Sequence, residues 1–197
     1  MALLVQGYQV IAGTDEVGRG ALAGPVVAAA VILPFPLNGA LWGQVRDSKE
    51  LPPLRRETLC RGIRGAAVSV GVGVVGPEVI DSRGIVPATR QAIAGAVAAL
   101  FPAPQFLLAD WIKLPELSIP YRPLVKGDQR CVSIACASIV AKVFRDDIMR
   151  RMSRTYPGYG FARHKGYGTP RHLRCLRERG CCPIHRRSFA PVAELSP

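Results

Sequence analysis

The sequence predicts an α/β fold, with a mixed sheet of five strands, flanking helices and a small helical C-terminal region. Apolar runs of strand length alternate along the chain with longer stretches of helical periodicity, which is typical of this class. The first two runs are close enough to favour a hairpin, whereas helical stretches separate the second run from the third and the third from the fourth. A chain of 197 residues, 49% of them hydrophobic, can bury one sizeable core.

The first three strands are predicted from their apolar residues. Residues 8–14 and 26–33 have strand length, and their short spacing, with Gly24 and Pro25 between them, favours antiparallel pairing. Residues 67–75 alternate valine with small residues, a period of two that indicates a strand. We therefore expect the sheet to begin with a hairpin and to continue with a third strand after a helix.

Helices are predicted between and after these strands. A polar loop at 46–53 leads into a helix over about 54–63. Residues 78–81 and 87–100 also have helical patterns, and the second of these places its large apolar side chains on one face. The longest helical pattern covers 131–150. These helices can cover the faces of the sheet.

The last two predicted strands both lead into an acidic residue. Residues 105–109 are followed at once by Asp110, and residues 121–125 lead through Lys126 and Gly127 to Asp128, just before the longest helix. Ligand sites in α/β sheets gather at strand ends. Both acids are therefore candidates for a shared site.

The segment Asp15-Glu16-Val17-Gly18-Arg19-Gly20 follows the first apolar run and combines two adjacent carboxylates with a glycine-bracketed arginine. The carboxylates suit a metal ion, and the glycines let the backbone approach a ligand closely. An ordinary polar exit from a strand would also fit these six residues. Because adjacent strand residues point to opposite faces, the two acids can share a site only if the strand ends or bulges there.

Four carboxylates from three strand ends can thus meet in space although they lie far apart in sequence. Gathered together, they would repel one another and raise their own pKa values unless a cation is bound, so such a cluster favours a hard divalent metal ion. Alternative interpretations treat Asp110 as a cap of a neighbouring turn and Asp128 as the N-cap of the long helix. The candidates are Asp15, Glu16, Asp110 and Asp128.

The charge of the chain is strongly positive and unevenly placed. Lysine and arginine total 26 against 14 acidic residues, giving a net charge of +12. Between Lys142 and Arg187 lie 13 of these cations but only three acids. This excess predicts a polyanionic partner, either nucleic acid or an anionic membrane surface, and a merely solvated basic face is the alternative.

The remaining composition favours a cytoplasmic protein without a membrane span. The uncharged stretches are cut by proline and glycine into runs too short to cross a bilayer, and the N-terminus lacks a secretory signal pattern. Reduced thiols are therefore expected for the six cysteines. A zinc site is the alternative, but its spacings match no usual structural pattern. It would recruit His164, His172, Cys175, Cys181, Cys182 and His185.

Several motifs, taken in order, resemble the ribonuclease HII family over residues of about 10–192. Each is weak alone, but together they are specific. They are the segment from Asp15 to Gly20, Asp47-Ser48-Lys49, Leu108-Ala109-Asp110, Val125-Lys126-Gly127-Asp128, Ser133-Ile134-Ala135 with residues 137–143, Tyr159-Gly160-Phe161, His164-Lys165-Gly166-Tyr167-Gly168-Thr169 and His185-Arg186-Arg187-Ser188-Phe189.

The resemblance implies a ribonuclease H-like fold, divided into a catalytic core at 1–145 and a basic helical region at 146–197 that completes the substrate groove. It implies an endonuclease that cuts the RNA strand of RNA/DNA hybrids and nicks duplex DNA on the 5′ side of an embedded ribonucleotide. The products would carry 3′-hydroxyl and 5′-phosphate ends. The implied cofactor is Mn²⁺ or Mg²⁺, the implied partners are these nucleic acids rather than a membrane, and a monomer is expected.

The resemblance also implies roles for individual residues. The four candidate carboxylates match the metal-binding residues of the family. Gly18, Arg19 and Gly20 match a loop whose backbone senses the 2′-hydroxyl, and Tyr167 matches a tyrosine that packs at the junction of ribose and deoxyribose. Backbone phosphate contact is implied, less specifically, for Ser48, Lys49 and Lys142.

Departures from the family pattern are few. Cys131 stands where a small hydroxyl residue is expected, and Ala21 stands where proline is more usual. Tyr167 has an alternative interpretation as a turn aromatic packed between two glycines. Two other functions stay open: a nucleic-acid-binding module without activity, and another metal nuclease of the same fold.

Overall fold

The computed structural model describes residues 2–45, 48 and 51–194, and its centre is a mixed sheet of five strands. The strands are β1 (Ile11–Val17), β2 (Val26–Ile32), β3 (Ser69–Val75), β4 (Phe106–Asp110) and β5 (Tyr121–Leu124), in the spatial order β3-β2-β1-β4-β5. β2 runs antiparallel to β1 and β3, whereas β4 runs parallel to β1 and β5. The predicted fold class and the opening hairpin are confirmed.

The helices surround this sheet and continue beyond it. They are α1 (Ala2–Val5), α2 (Pro53–Ala66), α3 (Pro77–Arg83), α4 (Ile85–Ala98), α5 (Gly127–Arg130), α6 (Val132–Thr155), α7 (Phe161–His164), α8 (Pro170–Arg179) and α9 (Ala190–Ala193), with a 3₁₀ turn at Trp42–Gln44. Proline at the first position favours the start of α2, α3 and α8, because that position needs no hydrogen-bonded N–H. The helical C-terminal region is thus present.

The two faces of the sheet bury different helices. The residues of β2 alternate between a core shared with α4 and a core shared with α2 and α6, so the whole strand is buried. Glycines allow close approach on both faces. A Cβ at Gly13 would lie 2.4 Å from the Ser133 backbone in α6, and one at Gly73 would lie 1.9 Å from the carbonyl oxygen of Ala92 in α4. β2 carries no charged residue because both of its faces are buried.

The end of β1 differs from the prediction. The strand was expected over 8–14, but it covers Ile11–Val17, so Asp15 and Glu16 lie within it. Its pairing with β2 continues in regular register through the partners Glu16 and Ala28. The strand stops only where Gly18 takes a φ of +93°, which ends extended geometry. The bulge or earlier strand end that was expected at the two acids is therefore wrong.

The long C-terminal helix also differs, since α6 begins at Val132 and continues to Thr155. It runs without a break across 145–146, so the two predicted parts of the chain share this helix. Beyond it, the C-terminal segments contact the loop after β1 through two isolated bridges, between Ala21 and Tyr167 and between Ala23 and His185. This contact brings Tyr167 to the end of β1.

None of the six cysteines, all of which the structure describes, forms a disulfide bond. Among the described residues, no helix has both the length and the apolar character needed to cross a bilayer.

Candidate active site

Three of the four candidate carboxylates line one cleft at the ends of β1 and β4. The cleft has a volume of about 400 Å³. β1 and β4 run parallel and pair through Thr14 and Ala109, so Asp15 and Asp110 follow directly on neighbouring strands. The residues that line the cleft are Asp15, Glu16, Val17, Ser48, Asp110, Ser138, Lys142 and Tyr167.

The strand pairing explains how two adjacent acids reach the same cleft. Asp15 and Glu16 point to opposite faces of β1, as in any regular strand. However, β1 pairs with β4 only as far as Thr14, and β4 ends at Asp110. The last residues of β1 therefore lie along an open edge, where side chains from both faces can enter the cleft.

The carboxyl group of Asp15 is hard to ionise in these surroundings. Burial raises its pKa to about 7, and the nearby carboxylates of Glu16 and Asp110 act in the same direction. Hydrogen bonds from the Ser138 hydroxyl and from the Glu16 backbone N–H, which lies 2.7 Å from Oδ1, oppose this rise. A bound cation would favour the ionised form.

Glu16 has one paired and one unpaired oxygen. Burial raises the pKa of Glu16, while the Arg19 guanidinium, with Nη1 3.1 Å from Oε1, lowers it. The other oxygen, Oε2, is buried and has no hydrogen-bond partner in the described structure. A buried carboxylate oxygen without a donor is suited to ligate a hard divalent cation.

The donor set fits a divalent metal ion in chemistry, although its side chains are not gathered around one point. Within the described ranges, no three histidine, cysteine, aspartate or glutamate side chains form a ready ligand group. Glu16 is turned toward Arg19, and Oδ1 of Asp110 accepts the Gly127 N–H at 2.7 Å. One oxygen of Glu16 and one of Asp110 are thus engaged by protein donors.

Asp128 lies beside this cleft rather than among the residues that line it. It is buried and occupies the short helix α5. The preceding residue, Gly127, donates its N–H to Asp110, so the start of α5 is fixed to the end of β4. The structure thus brings Asp128 to the same end of the sheet.

Ser48 and Lys142, which were implied as phosphate contacts, both line the cleft, whereas Lys49 lies outside the described residues. Ser48 is buried, and its Oγ lies 2.8 Å from Oγ of Ser138. Lys142 Nζ donates to Asp146 Oδ1 at 2.7 Å. Sequence reasoning missed Ser138 as a partner of Asp15, although its spacing of four residues from Lys142 places both on one face of α6.

Gly18 and Gly20 serve different purposes. Gly18 has a φ of +93°, and a Cβ there would lie 2.1 Å from Nε of Arg145, so the fold itself requires glycine. Gly20 has no positive φ, and a Cβ there would meet nothing within 4 Å. The exposed backbone at Gly20 is thus accessible to a ligand.

Two buried arginines hold this loop in place; sequence reasoning assigned no role to either, although Arg186 stands in one of the motifs. Arg145 donates to the carbonyl oxygens of Pro25 (2.9 Å), Ala23 (3.2 Å) and Lys165 (3.0 Å).

Arg186 donates to the carbonyl oxygens of Gly18 (2.7 Å), Arg19 (2.7 Å) and Gly24 (3.0 Å). Both arginine side chains are fully buried, so these two cations of the basic region act on the protein backbone.

Tyr167 lies at the wall of the cleft next to this loop. It is half-buried, and its backbone forms a bridge with Ala21. The Arg145 guanidinium lies 5.3 Å from the centre of its ring, which is within cation–π distance. The same buried arginine thus contacts both the tyrosine and the loop.

Comparisons with known proteins agree with this fold and identify a family. The ribonuclease HII family model matches residues 12–192. A ribonuclease HII of Dehalococcoides mccartyi is 55% identical over 187 residues, which cover 95% of this chain and 88% of that relative.

Among solved structures, the ribonuclease H2 from Pyrococcus horikoshii OT3 has a TM-score of 0.81 at 25% identity and covers 95% of this chain and 97% of its own. Bst-RNase HIII in complex with Mn²⁺ shares the fold, with a TM-score of 0.68 at 24% identity over 95% of this chain and 69% of its own. The match covers nearly the whole chain at high identity, and the chain therefore belongs to the ribonuclease HII family.

Proposed function

We propose that this protein cuts the RNA strand of RNA/DNA hybrids and nicks duplex DNA on the 5′ side of an embedded ribonucleotide, leaving 3′-hydroxyl and 5′-phosphate ends. The ribonuclease HII family consists of endoribonucleases that act on RNA/DNA hybrids. The observation that carries the proposal is the cleft that three carboxylates and a tyrosine line, next to the glycine-containing loop that directly follows β1. Such a cleft combines hydrolytic chemistry with a means of reading the sugar.

The carboxylates are proposed to hold the divalent ion, Mn²⁺ or Mg²⁺. When bound, this ion supplies Lewis-acid activation of water and stabilises charge on the leaving oxygen. The buried, unpaired oxygen of Glu16 and the raised pKa of Asp15 support this assignment. The Ser138 hydroxyl orients Asp15, and Gly127 orients Asp110. The assignment of Asp128 rests on its motif and on its burial at the same end of the sheet.

Recognition of RNA requires contact with the 2′-hydroxyl, the group that separates ribose from deoxyribose. We assign this contact to the backbone around Gly20, where no side chain blocks approach. Tyr167 is half-buried on the wall of the same cleft, so its exposed ring face can pack on the neighbouring sugar. Lys142 adds positive charge for a phosphate.

The partner, the cellular compartment and the oligomeric state are also part of the proposal. The net charge of +12 supports a nucleic-acid partner, and six cysteines without a disulfide bond are typical of a reducing compartment such as the cytoplasm. We propose that the protein acts as a monomer, because one chain supplies every residue of the described cleft.

Replacing Asp15 tests the hydrolytic assignment. We expect Asp15→Asn to lose at least about a thousandfold in cleavage of an RNA/DNA hybrid, because the amide cannot supply an anionic ligand. Hybrid binding, measured by gel shift, should change little. Asp147→Asn is the matched control, because this carboxylate is exposed on α6 and pairs with Arg150 and Arg151. Retained cleavage by Asp15→Asn in Mg²⁺ or Mn²⁺ would refute the role of Asp15.

A further inference from the structure

The end of β4 carries an exposed tryptophan that the cleft described above does not use. Trp111 directly follows Asp110, and its side chain is 68% exposed. In the segment that follows it, Ile112 and Leu114 are buried. A single exposed apolar residue needs no explanation by itself, but this one directly follows a carboxylate of the cleft and offers an indole surface to a ligand bound there.

The backbone at this point is strained. Trp111 has a φ of +37°, and Lys126, at the end of β5, has a φ of +53°. Only one other non-glycine residue in the described structure, Lys165, has a positive φ. This conformation is unfavourable for a bulky side chain and tends to occur at functional sites.

Backbone hydrogen bonds hold this strained conformation on both sides. The Trp111 N–H donates to the Leu124 carbonyl oxygen at 3.1 Å, which continues the pairing of β4 with β5. One residue earlier, Asp110 accepts the Gly127 N–H at 2.7 Å. The backbone from which the indole projects is therefore fixed by the same pairing that holds the end of β4 beside Asp110.

The sheet order places Trp111 opposite Tyr167. The carboxylates lie at the ends of β1 and β4. Tyr167 is attached through Ala21 to the connection between β1 and β2, whereas Trp111 lies on the side of β5. A nucleic-acid duplex whose reacting phosphate lies at the carboxylates would extend over both sides.

The charges around Trp111 suit a nucleic acid. Lys113 lies just after Trp111 in sequence, and Lys126 lies just after Leu124, whose carbonyl oxygen accepts the Trp111 N–H; both lysines are exposed. The nearby acid Glu116 is paired with Arg90 at 3.1 Å. An exposed aromatic ring flanked by cations is the usual combination for contact with nucleotides.

We propose that Trp111 is a substrate-binding residue whose indole packs against the sugar-phosphate backbone of the duplex, on the side of the reacting phosphate opposite Tyr167. The proposal rests on the function proposed above. The substrate groove then continues across the carboxylates toward β5, and Lys113 and Lys126 contact phosphates there. Trp111 thus contributes to affinity and register.

Tryptophan fluorescence provides a direct test, because Trp111 and the buried Trp42 are the two tryptophans of the chain. The wild-type protein is titrated with an RNA/DNA hybrid in EDTA. We expect substantial quenching, and we expect it to disappear in Trp111→Phe, in which Trp42 alone is observed.

Kinetics and stability complete the test. Trp111→Ala should raise KM for the hybrid about tenfold, since truncating a tryptophan at a binding contact commonly weakens binding by on the order of tenfold or more. Trp111→Phe should recover most of this loss. Trp111→Gly should also bind weakly, yet melt at a temperature no lower than the wild type, because glycine adopts a positive φ without strain.

The control is Phe101→Ala. Phe101 is 87% exposed and precedes β4, at the opposite end of that strand, so its removal should leave KM unchanged. If the wild type cleaves the hybrid but Trp111→Ala keeps its KM within twofold and the fluorescence is unquenched, the role of Trp111 is refuted while the proposed function stands. If the wild type does not cleave the hybrid, both are refuted.

Discussion

At the scale of single residues, the two glycines of the segment after β1 show that one residue type can serve different purposes. Gly18 turns the chain at a φ of +93° and leaves room for Arg145, whereas Gly20 faces open space. The first is required by the folded protein alone. The second gains a reason to be glycine only when a ligand approaches its backbone.

Alanine at each glycine separates these purposes. Gly18→Ala should lower the free energy of unfolding by about 2 kcal/mol or more, because it adds strain at a positive φ and a clash with Arg145. Gly20→Ala should melt like the wild type but cleave at a single ribonucleotide about tenfold more slowly or worse, because a methyl group obstructs the sugar. Thermal denaturation and single-turnover cleavage measure the two effects. A stable Gly18→Ala, or a fully active Gly20→Ala, would contradict this distinction.

Tyr167 gives a second prediction at this scale. Tyr167→Ala should weaken nicking at a single embedded ribonucleotide by more than it weakens binding to plain duplex DNA, because its ring packs where the two sugar types meet. Tyr167→Phe is the matched control, since it keeps the ring over Arg145. Equal losses on both measurements would remove the junction role.

The sequence predicted some of these residues and could not predict others. The carboxylates were recognisable because each follows an apolar run. Arg145 and Arg186 were not, because a count of cations does not distinguish an exposed arginine from one whose donors are used by backbone carbonyls. Only the three-dimensional path of the loop reveals those acceptors.

At the scale of elements, the C-terminal helices are joined by three buried histidines. His172 in α8 has Nε2 3.1 Å from Nε2 of His185, and its ring stacks on that of His164 in α7 at 4.4 Å. Cys182 Sγ lies 3.1 Å from Nδ1 of His185. These groups contact one another, but the described residues contain no metal-ligand group, so the structure gives no support to the zinc alternative.

This cluster makes stability depend on pH. Burial lowers the pKa of all three histidines, that of His172 from 6.5 to about 4. The unfolded chain therefore binds protons more readily than the folded one. The contribution of the neutral His172 to stability is complete above pH 6.5 and is lost as pH falls toward 4.

Protonation of the buried Asp15, whose pKa is raised, stabilises the folded protein as the pH falls, so the histidine effect is measured as the difference between the wild type and His172→Gln. His172→Gln should be less stable than the wild type at pH 7, and this difference should shrink by about 2 kcal/mol on going to pH 4.5. Scanning calorimetry at several pH values measures both. An unchanged pH dependence in the variant would show that His172 does not titrate as described.

At the scale of the whole molecule, the strand order explains how distant residues form one site. β1 and β4 are neighbours in the sheet although residues 18–105 separate them in the chain. Their parallel direction brings Asp15 and Asp110 to one edge. The loop after β1 and the C-terminal region border this edge on one side, and β5 borders it on the other. The cleft thus lies between two surfaces.

The number and type of strands were predictable from apolar periodicity, whereas the end of β1 was not. Polar Asp15 and Glu16 suggested that the strand was over, but pairing with the buried alanines of β2 continues it to Val17. Tertiary pairing here overrides the local pattern. The consequence for function is that the acids are held by a strand rather than by a turn.

The most direct test of the account is cleavage of a DNA duplex that contains one ribonucleotide, with the product ends mapped. The wild-type protein should make a single nick on the 5′ side of the ribonucleotide, leaving 3′-hydroxyl and 5′-phosphate ends, in Mg²⁺ or Mn²⁺ but not in EDTA. An all-DNA duplex should remain intact. Cleavage in EDTA, or cleavage of single-stranded RNA in place of the duplex, would contradict the account.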